Sequence, residues 1–220
     1  MEKTQFVVVG LGRFGSSLAK ELVEIGHEVF GIDKNQETVQ DMSNILTHVA
    51  VADSTDEEAL RVLGVRNFDC GVVAIGDDIQ SSIMTAILLK DLGIKKVVAK
   101  ALSELHGRVL EKIGVDKVVY PERDMGKRVA NQLVSPNLLD YIELSKEYTI
   151  AEIAVPKNLH GESLQELKPR AKFGCSILAI NKPAGVIVAP SAKDILAEKD
   201  VMVVIGTNEH IEKFQEVIMR

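Results

Sequence analysis

The stretch that most constrains this chain is Phe6-Val7-Val8-Val9-Gly10-Leu11-Gly12-Arg13-Phe14-Gly15, an apolar run that ends in a glycine-spaced turn and leads into a helical pattern. Each glycine has a mechanical reason. Gly10 allows a tight strand-to-helix turn, Gly12 leaves no Cβ between the backbone and a pyrophosphate, and Gly15 lets the helix lie close on the strand. The helix then offers unpaired N–H groups and the positive end of its dipole to phosphates. A glycine-rich turn alone is weak evidence, but two further signals accompany this one. An amphipathic helix is predicted from Ser16 to Ile25, and a second apolar strand, Glu28 to Ile32, ends in Asp33. A carboxylate about 20 residues past the glycines is placed to hold a ribose hydroxyl pair, and its charge favours a free 2′-hydroxyl over a 2′-phosphate. Together these predict a Rossmann-like nucleotide-binding unit.

The same alternation continues. Strands are predicted at Thr47 to Ala52, Cys70 to Ile75, Lys96 to Lys100 and Lys117 to Tyr120, with helices at Asp56 to Leu63, Asp78 to Leu92 and Glu104 to Ile113. Continuous Val/Ile strands imply burial on both faces, hence a parallel sheet covered by helices. Six strands with five intervening helices make a complete doubly wound α/β unit over residues 1–122. The pattern then changes. Glu122 to Leu133 reads as a helix, Ser135-Pro136-Asn137 as a break, and Leu138 to Leu144 as a second helical piece, so that residues 123–144 are expected to be a crossover that packs on another subunit. From residue 145 to 220 the segments are short. Strands at Thr149 to Val155, Ser176 to Asn181, Val186 to Ala189 and Val201 to Ile205, with helices at Leu164 to Leu167 and His210 to Val217, predict a small α+β ligand-sensing domain.

Composition narrows the function classes. A length of 220 residues suits one domain of about 140 plus one of about 80. No run approaches the roughly 20 apolar residues of a membrane span, and no signal-peptide pattern is visible, so a cytoplasmic chain is expected. Net charge is −6 with no basic tail, and aromatic residues are 4% with no Trp, which argues against a nucleic-acid polymer as partner. Cys70 and Cys175 form no metal or redox spacing and read as buried reduced thiols. His27, His48, His106, His160 and His210 stand in no recognisable catalytic context, so no catalytic residue is assigned and no enzymatic activity is expected.

Several residues surround the expected ligand position. Asp33 is followed by Lys34. Asp53-Ser54-Thr55 ends the third strand, where ligands of open α/β sheets bind, although Ser54 or Thr55 also reads as a helix N-cap with Glu57 or Glu58 in the first turn. Ile75-Gly76 ends the fourth strand. Arg13, beside Phe14 in the glycine loop, can meet phosphates bidentately or simply cover the helix start. Glu122 is either an acid complementing a helix dipole or a carboxylate that faces phosphates through a divalent cation.

Three stretches resemble one family: Val8-Val9-Gly10-Leu11-Gly12-Arg13-Phe14-Gly15, Gly26-His27-Glu28-Val29 before Asp33, and Val118-Val119-Tyr120-Pro121-Glu122-Arg123-Asp124-Met125-Gly126. They look like the cytosolic regulatory subunits of Ktr/Trk potassium-uptake systems, and the likeness covers nearly the whole chain as an N-terminal RCK (regulator of potassium conductance) domain and an RCK C-terminal domain. Within the family it is most similar to Ktr subunits of Gram-positive bacteria. The resemblance implies a homo-oligomer of paired RCK domains in an octameric ring, peripheral on the inner face of the membrane beneath a potassium-translocating subunit, with ATP and ADP favouring different ring shapes. It implies that Gly10, Gly12 and Gly15 hold phosphates and Asp33 the ribose, that Arg13 reaches phosphate across a dimer interface, that Lys100 lies near the nucleotide, and that Glu122 approaches the terminal phosphate or its cation. It also implies a second ligand site for cyclic di-AMP around Leu167, Arg170, Ala171, Cys175, Ile177 and Pro190, with Pro169 departing from the pattern. The alternative is an NAD(H)-dependent oxidoreductase or an NADH-sensing regulator, for which the same glycine loop would hold NAD or NADH.

Overall fold

The computed structural model describes residues 3–134 and 138–218. The chain divides into two compact units, 1–122 and 123–220.

In the first unit β1 (Gln5–Val9), β2 (Glu28–Asp33), β3 (His48–Val51), β4 (Cys70–Val73), β5 (Lys96–Lys100) and β6 (Lys117–Val119) form a sheet of order β3-β2-β1-β4-β5-β6, parallel throughout. The crossovers are α1 (Arg13–Glu24), α2 (Gln36–Met42), α3 (Glu57–Val62), α4 (Ile79–Asp91) and α5 (Glu104–Lys112). Successive strand residues supply opposite faces. Val7 and Val9 enter one core with Ile32, Val73, Val97 and Leu110, while Val8 enters the other with Val29, Val72 and Ala19. Burial on both faces is why these strands are continuously apolar. The order reverses direction beside β1, and the carboxyl ends of β1 and β4 therefore diverge into a crevice, which is where ligands of such sheets bind.

Helix starts are set by side-chain caps. Asn35 accepts from Thr38 N, Asp78 from Ser81 N and Ser103 from His106 N. The α3 start corrects an expectation: Asp56 is its N-cap, accepting from Glu58 N and Ala59 N, so neither Ser54 nor Thr55 is spent on capping. α1 begins at Arg13 rather than Ser16, so Arg13 and Phe14 lie in the first helical turn.

The second unit takes in α6 (Pro121–Val134), which starts at the boundary, then β7 (Leu138–Glu143), β8 (Tyr148–Ala154), α7 (Leu164–Leu167), α8 (Pro169–Phe173), β9 (Ser176–Lys182), β10 (Gly185–Val188), β11 (Val201–Thr207) and α9 (Asn208–Ile218). Its strands form an antiparallel sheet of order β10-β9-β11-β8-β7. Alternate residues of β8 and β11, among them Ile153, Met202 and Val204, are buried in one core with Phe173, Ile211 and Phe214. A half-buried sheet covered by helices on one side accounts for that period of two.

One expectation is overturned here. Leu138 to Leu144, read as a helical continuation, contains strand β7, paired with β8 in the register Tyr141↔Ala151 and Ile142↔Ile150. Leu139, Tyr141, Ile142 and Leu144 fit either period over so short a run, and the available edge of β8 decides it. The break at residues 135–137 lies outside the described residues. α8 was not anticipated; Pro169 opens it at the first helical position, where the missing N–H costs nothing.

Candidate functional site

A cavity of about 410 Å³ opens at the carboxyl ends of the strands in the first unit. Gly10, Gly12, Arg13 and Phe14 line it from the glycine turn, Asp33 and Lys34 from the end of β2, Asp53 and Ser54 from beyond β3, Ile75 and Gly76 from beyond β4, and Lys100 and Glu122 from β5 and the start of α6. These are the residues expected from the sequence, brought into one crevice. Gly15 is the exception. It is buried behind the turn, where a Cβ would lie 1.9 Å from the Gly10 carbonyl oxygen, so its role here is close packing of α1 on β1.

The turn is built to leave backbone open. Gly10 has φ +90°, and a Cβ there would stand 2.9 Å from Ile75 N. At Gly12 a Cβ would meet no heavy atom within 4 Å, so the glycine leaves free space at the helix start. Gly12 is the N-cap of α1 and offers no side chain to its first N–H groups, nor does the first turn carry an acid. The positive end of a 12-residue helix therefore faces the cavity with no acidic side chain capping it.

Asp33 shapes that turn as well as facing the cavity. One carboxylate oxygen accepts from Leu11 N at 2.6 Å and the other from Asn35 N at 2.8 Å. The glycine loop and the β2–α2 turn are thus tied to one side chain, which keeps further lone pairs for a diol. At the rim, Thr55 donates to Asp53 through its hydroxyl at 2.7 Å and its N–H at 2.9 Å, and these bonds hold the Asp53 carboxyl below the usual range. Ser54 is buried, its Oγ 2.8 Å from Thr85 Oγ1, which fixes the β3 end to α4.

On the opposite wall Lys100, with a side chain 8% exposed, donates to Glu122 Oε1 at 2.6 Å and lies 5.8 Å from the Phe14 ring centroid. The hydrogen bond from Lys100 pulls the Glu122 carboxyl below the ordinary glutamate range, and Arg13 adds a smaller attraction. From the sequence Glu122 reads either as an acid complementing a helix dipole or as a carboxylate that faces phosphates through a divalent cation. Here its partner is Lys100, and among the described residues no group of three or more His, Cys, Asp or Glu side chains is arranged to hold a metal ion.

Asn35, Thr38, Asp77 and Ser81 also line the cavity and were not singled out from the sequence. Asn35 was legible as a cap between the Asp33 strand and a helical run, and Asp77 as the residue after the fourth strand's terminal glycine.

The residues grouped for a second site separate by burial. Leu167 and Cys175 are 4% and 0% exposed and belong to the core of the second unit, so neither faces a ligand in this conformation. Arg170 and Ala171 are exposed on α8, and Ile177 and Pro190 are half-buried. Burial drives the Cys175 thiol up to about 11, and Cys70 is likewise raised, so both are buried protonated thiols. Among the described residues no helix is long and apolar enough to cross a membrane.

The sheet order, the glycine turn and the carboxylate at the end of β2 define a Rossmann-like domain followed by a small α+β domain, the architecture of an RCK regulator. Residues 6–121 match the TrkA-N domain and residues 149–219 the TrkA-C domain. The chain belongs to the Ktr family of potassium uptake proteins. It is 45% identical to the Ktr system potassium uptake protein C of Bacillus subtilis (strain 168) over 217 residues, 99% of this chain and 98% of that one. It is 43% identical to protein A of the same system and organism over 215 residues, 98% and 97% of the two chains. The crystal structure of the GsuK RCK domain superposes with a TM-score of 0.56 at 23% identity, covering all of this chain and 47% of that one, which shows the shared fold.

Proposed function

We propose that this chain is the cytosolic regulatory subunit of a potassium uptake system and that an adenine nucleotide is its ligand. The observation that carries the reading is the convergence, in one crevice, of the uncapped α1 N-terminus, the open space at Gly12 and the Asp33 carboxylate. The names of the Ktr relatives support the system to which the chain is assigned.

In this reading the Gly10 and Gly12 backbone approaches the phosphates, Asp33 accepts from the ribose hydroxyls, Lys34 and Arg13 supply positive charge, and Asp53 and Ser54 with Ile75 and Gly76 bound the rest of the crevice. The bound nucleotide supplies charge and shape rather than a reactive centre, so the function is regulatory rather than catalytic. A ligand that binds two arrangements of the assembly unequally shifts their populations, and nothing more is required for control. ATP and ADP are the proposed pair of effectors, with NAD or NADH as the competing ligands and a divalent cation accompanying ATP near Glu122.

α6 supports assembly into a ring, proposed as an octamer: Met125, Val129 and Leu133 are 54%, 45% and 78% exposed and recur four residues apart, a stripe suited to another protein surface. A membrane potassium-translocating subunit is the proposed partner. In the second unit, exposed Arg170 supports a cyclic di-AMP contact in which each copy of a symmetric pair meets one phosphate.

A differential thermal shift with ATP, ADP, NAD and NADH tests the reading. A ligand at a hundredfold excess over its Kd stabilises by about 2.7 kcal/mol. ATP and ADP are expected to raise the melting temperature; no shift with any of the four would overturn the assignment.

A further inference from the structure

α5 carries a glycine that its own backbone does not need. Gly107 is buried and helical rather than left-handed, and a glycine inside a helix lowers stability relative to alanine. What requires it is Tyr120: a Cβ built on Gly107 would lie 1.7 Å from the phenol oxygen and 2.6 Å from Cζ. The half-buried Tyr120 ring therefore sits in a notch in α5, packed against the first core. Before it, Val119 ends β6, paired with Lys100 and accepting from Ala101 N at 2.9 Å. After it, Pro121 opens α6 with no N–H to give and biases the Tyr120 backbone toward extended conformations. One residue further, Glu122 lines the cavity beside Lys100, so the first turn of α6 is part of the wall opposite Asp33.

We propose that Tyr120 is a positioning residue for that wall: seated against Gly107, its ring fixes the point and direction in which the chain leaves β6, and so holds the first turn of α6 at its place on the cavity. The inference rests on the nucleotide reading above. Because Pro121 stiffens the junction, a displaced ring carries the start of α6 with it instead of being absorbed by a flexible turn. The rest of the cavity is held independently of Tyr120, since Leu11 N and Asn35 N both donate to Asp33 and tie the glycine loop to the end of β2. Unseating the ring therefore leaves the ribose and the first phosphate in place and weakens the hold on phosphates that reach the far wall. Emptying the notch and filling it are opposite steric changes with the same consequence, because each removes the seat.

Calorimetric titration of the full chain with ATP and with AMP, both in excess magnesium, tests this with Tyr120→Leu, which empties the notch, Gly107→Ala, which fills it, and Tyr120→Phe, which keeps the ring seated. Tyr120→Leu and Gly107→Ala are each expected to weaken ATP about tenfold, the loss of one charge-assisted hydrogen bond, with AMP affinity unchanged. Tyr120→Phe is expected to bind both ligands as wild type does. A general loss of structure would weaken the two ligands together, so equal weakening of ATP and AMP overturns the inference while leaving the nucleotide reading in place. Unchanged ATP binding by Tyr120→Leu overturns it as well. The wild-type chain gives a second measurement that needs no destabilised variant. The chain has three tyrosines; with their rings labelled with carbon-13 and the Tyr120 signal assigned from Tyr120→Phe, ATP is expected to move that signal and AMP to leave it. A Tyr120 signal unmoved by ATP also overturns the inference. If the wild-type chain binds neither ATP nor AMP, the nucleotide reading itself fails and the inference with it.

Discussion

Replacing Asp33 by Asn separates its two duties. The carboxylate accepts from Leu11 N at 2.6 Å and Asn35 N at 2.8 Å, one bond to each oxygen. An amide can satisfy one of these N–H groups, but its NH₂ then confronts the other, so one backbone donor in the glycine loop or the β2–α2 turn is left unpaired. Losing a charge-assisted bond and stranding a partly buried donor costs about 1 to 3 kcal/mol. At roughly 2 to 4 °C per kcal/mol for a chain of this size, the melting temperature should fall by about 2 to 12 °C. Two ligands then divide the remaining effect. ATP affinity should drop at least about tenfold, equivalent to about 1.4 kcal/mol, because the diol loses its charged acceptor. Inorganic pyrophosphate, which has no ribose, should also bind more weakly, since the loop that presents the phosphate donors is no longer tied to the β2–α2 turn through both oxygens of one carboxylate. Calorimetry and differential scanning fluorimetry on the same preparation provide both readings. Unchanged melting together with unchanged affinity for either ligand would refute the tie between Asp33 and the loop.

Gly15→Ala puts a Cβ 1.9 Å from a backbone oxygen that cannot easily retreat, so overpacking should destabilise by about 3 kcal/mol or more, seen as a lower urea midpoint. Gly12→Ala meets nothing within 4 Å, so its melting temperature should hold while pyrophosphate affinity falls; equal behaviour of the two variants would contradict the division between packing and ligand approach. His106 is 2% exposed, its Nδ1 accepts from Leu102 N, and among the described residues Nε2 has no hydrogen-bond partner; burial lowers its pKa. Since the unfolded value is about 6.5, the unfolded chain binds a proton that the folded chain refuses, and stability should decline as pH falls below about 6.5. The depressed carboxylates, Asp53, Asp116 and Glu122 among them, add a further loss only as pH falls through and below about 4. Urea unfolding from pH 7.5 to 5 should show the first slope in wild type and its absence in His106→Leu.

The first unit was legible in the sequence because its signals are local and redundant. Val7 to Val9, the glycine spacing and Asp33 each specify one element of the same crevice, and burial on both sheet faces writes the strands as unbroken apolar runs. β7 was not legible, because its identity depends on the free edge of β8, a pairing partner that the local pattern of Leu139, Tyr141 and Ile142 does not encode. α2 carried a usable signal in Asn35 and Thr38, and with it two further cavity-lining residues. The Lys100–Glu122 pair joins residues 22 apart in sequence and arises from the parallel placement of β5 beside β6, so residue types alone pointed to each side chain but not to their contact. In the second unit, apolar Leu167 and Cys175 read equally as cleft or core, and the short α7 and α8 turn both toward the core.

The most direct test measures potassium uptake itself. In cells lacking this chain, tracer rubidium uptake at low external potassium should fall, recover when the wild-type chain is restored, and recover only in part with Asp33→Asn expressed to the same level. Undiminished uptake without the chain, or equal recovery by wild type and Asp33→Asn, would contradict a nucleotide-responsive regulator of potassium uptake.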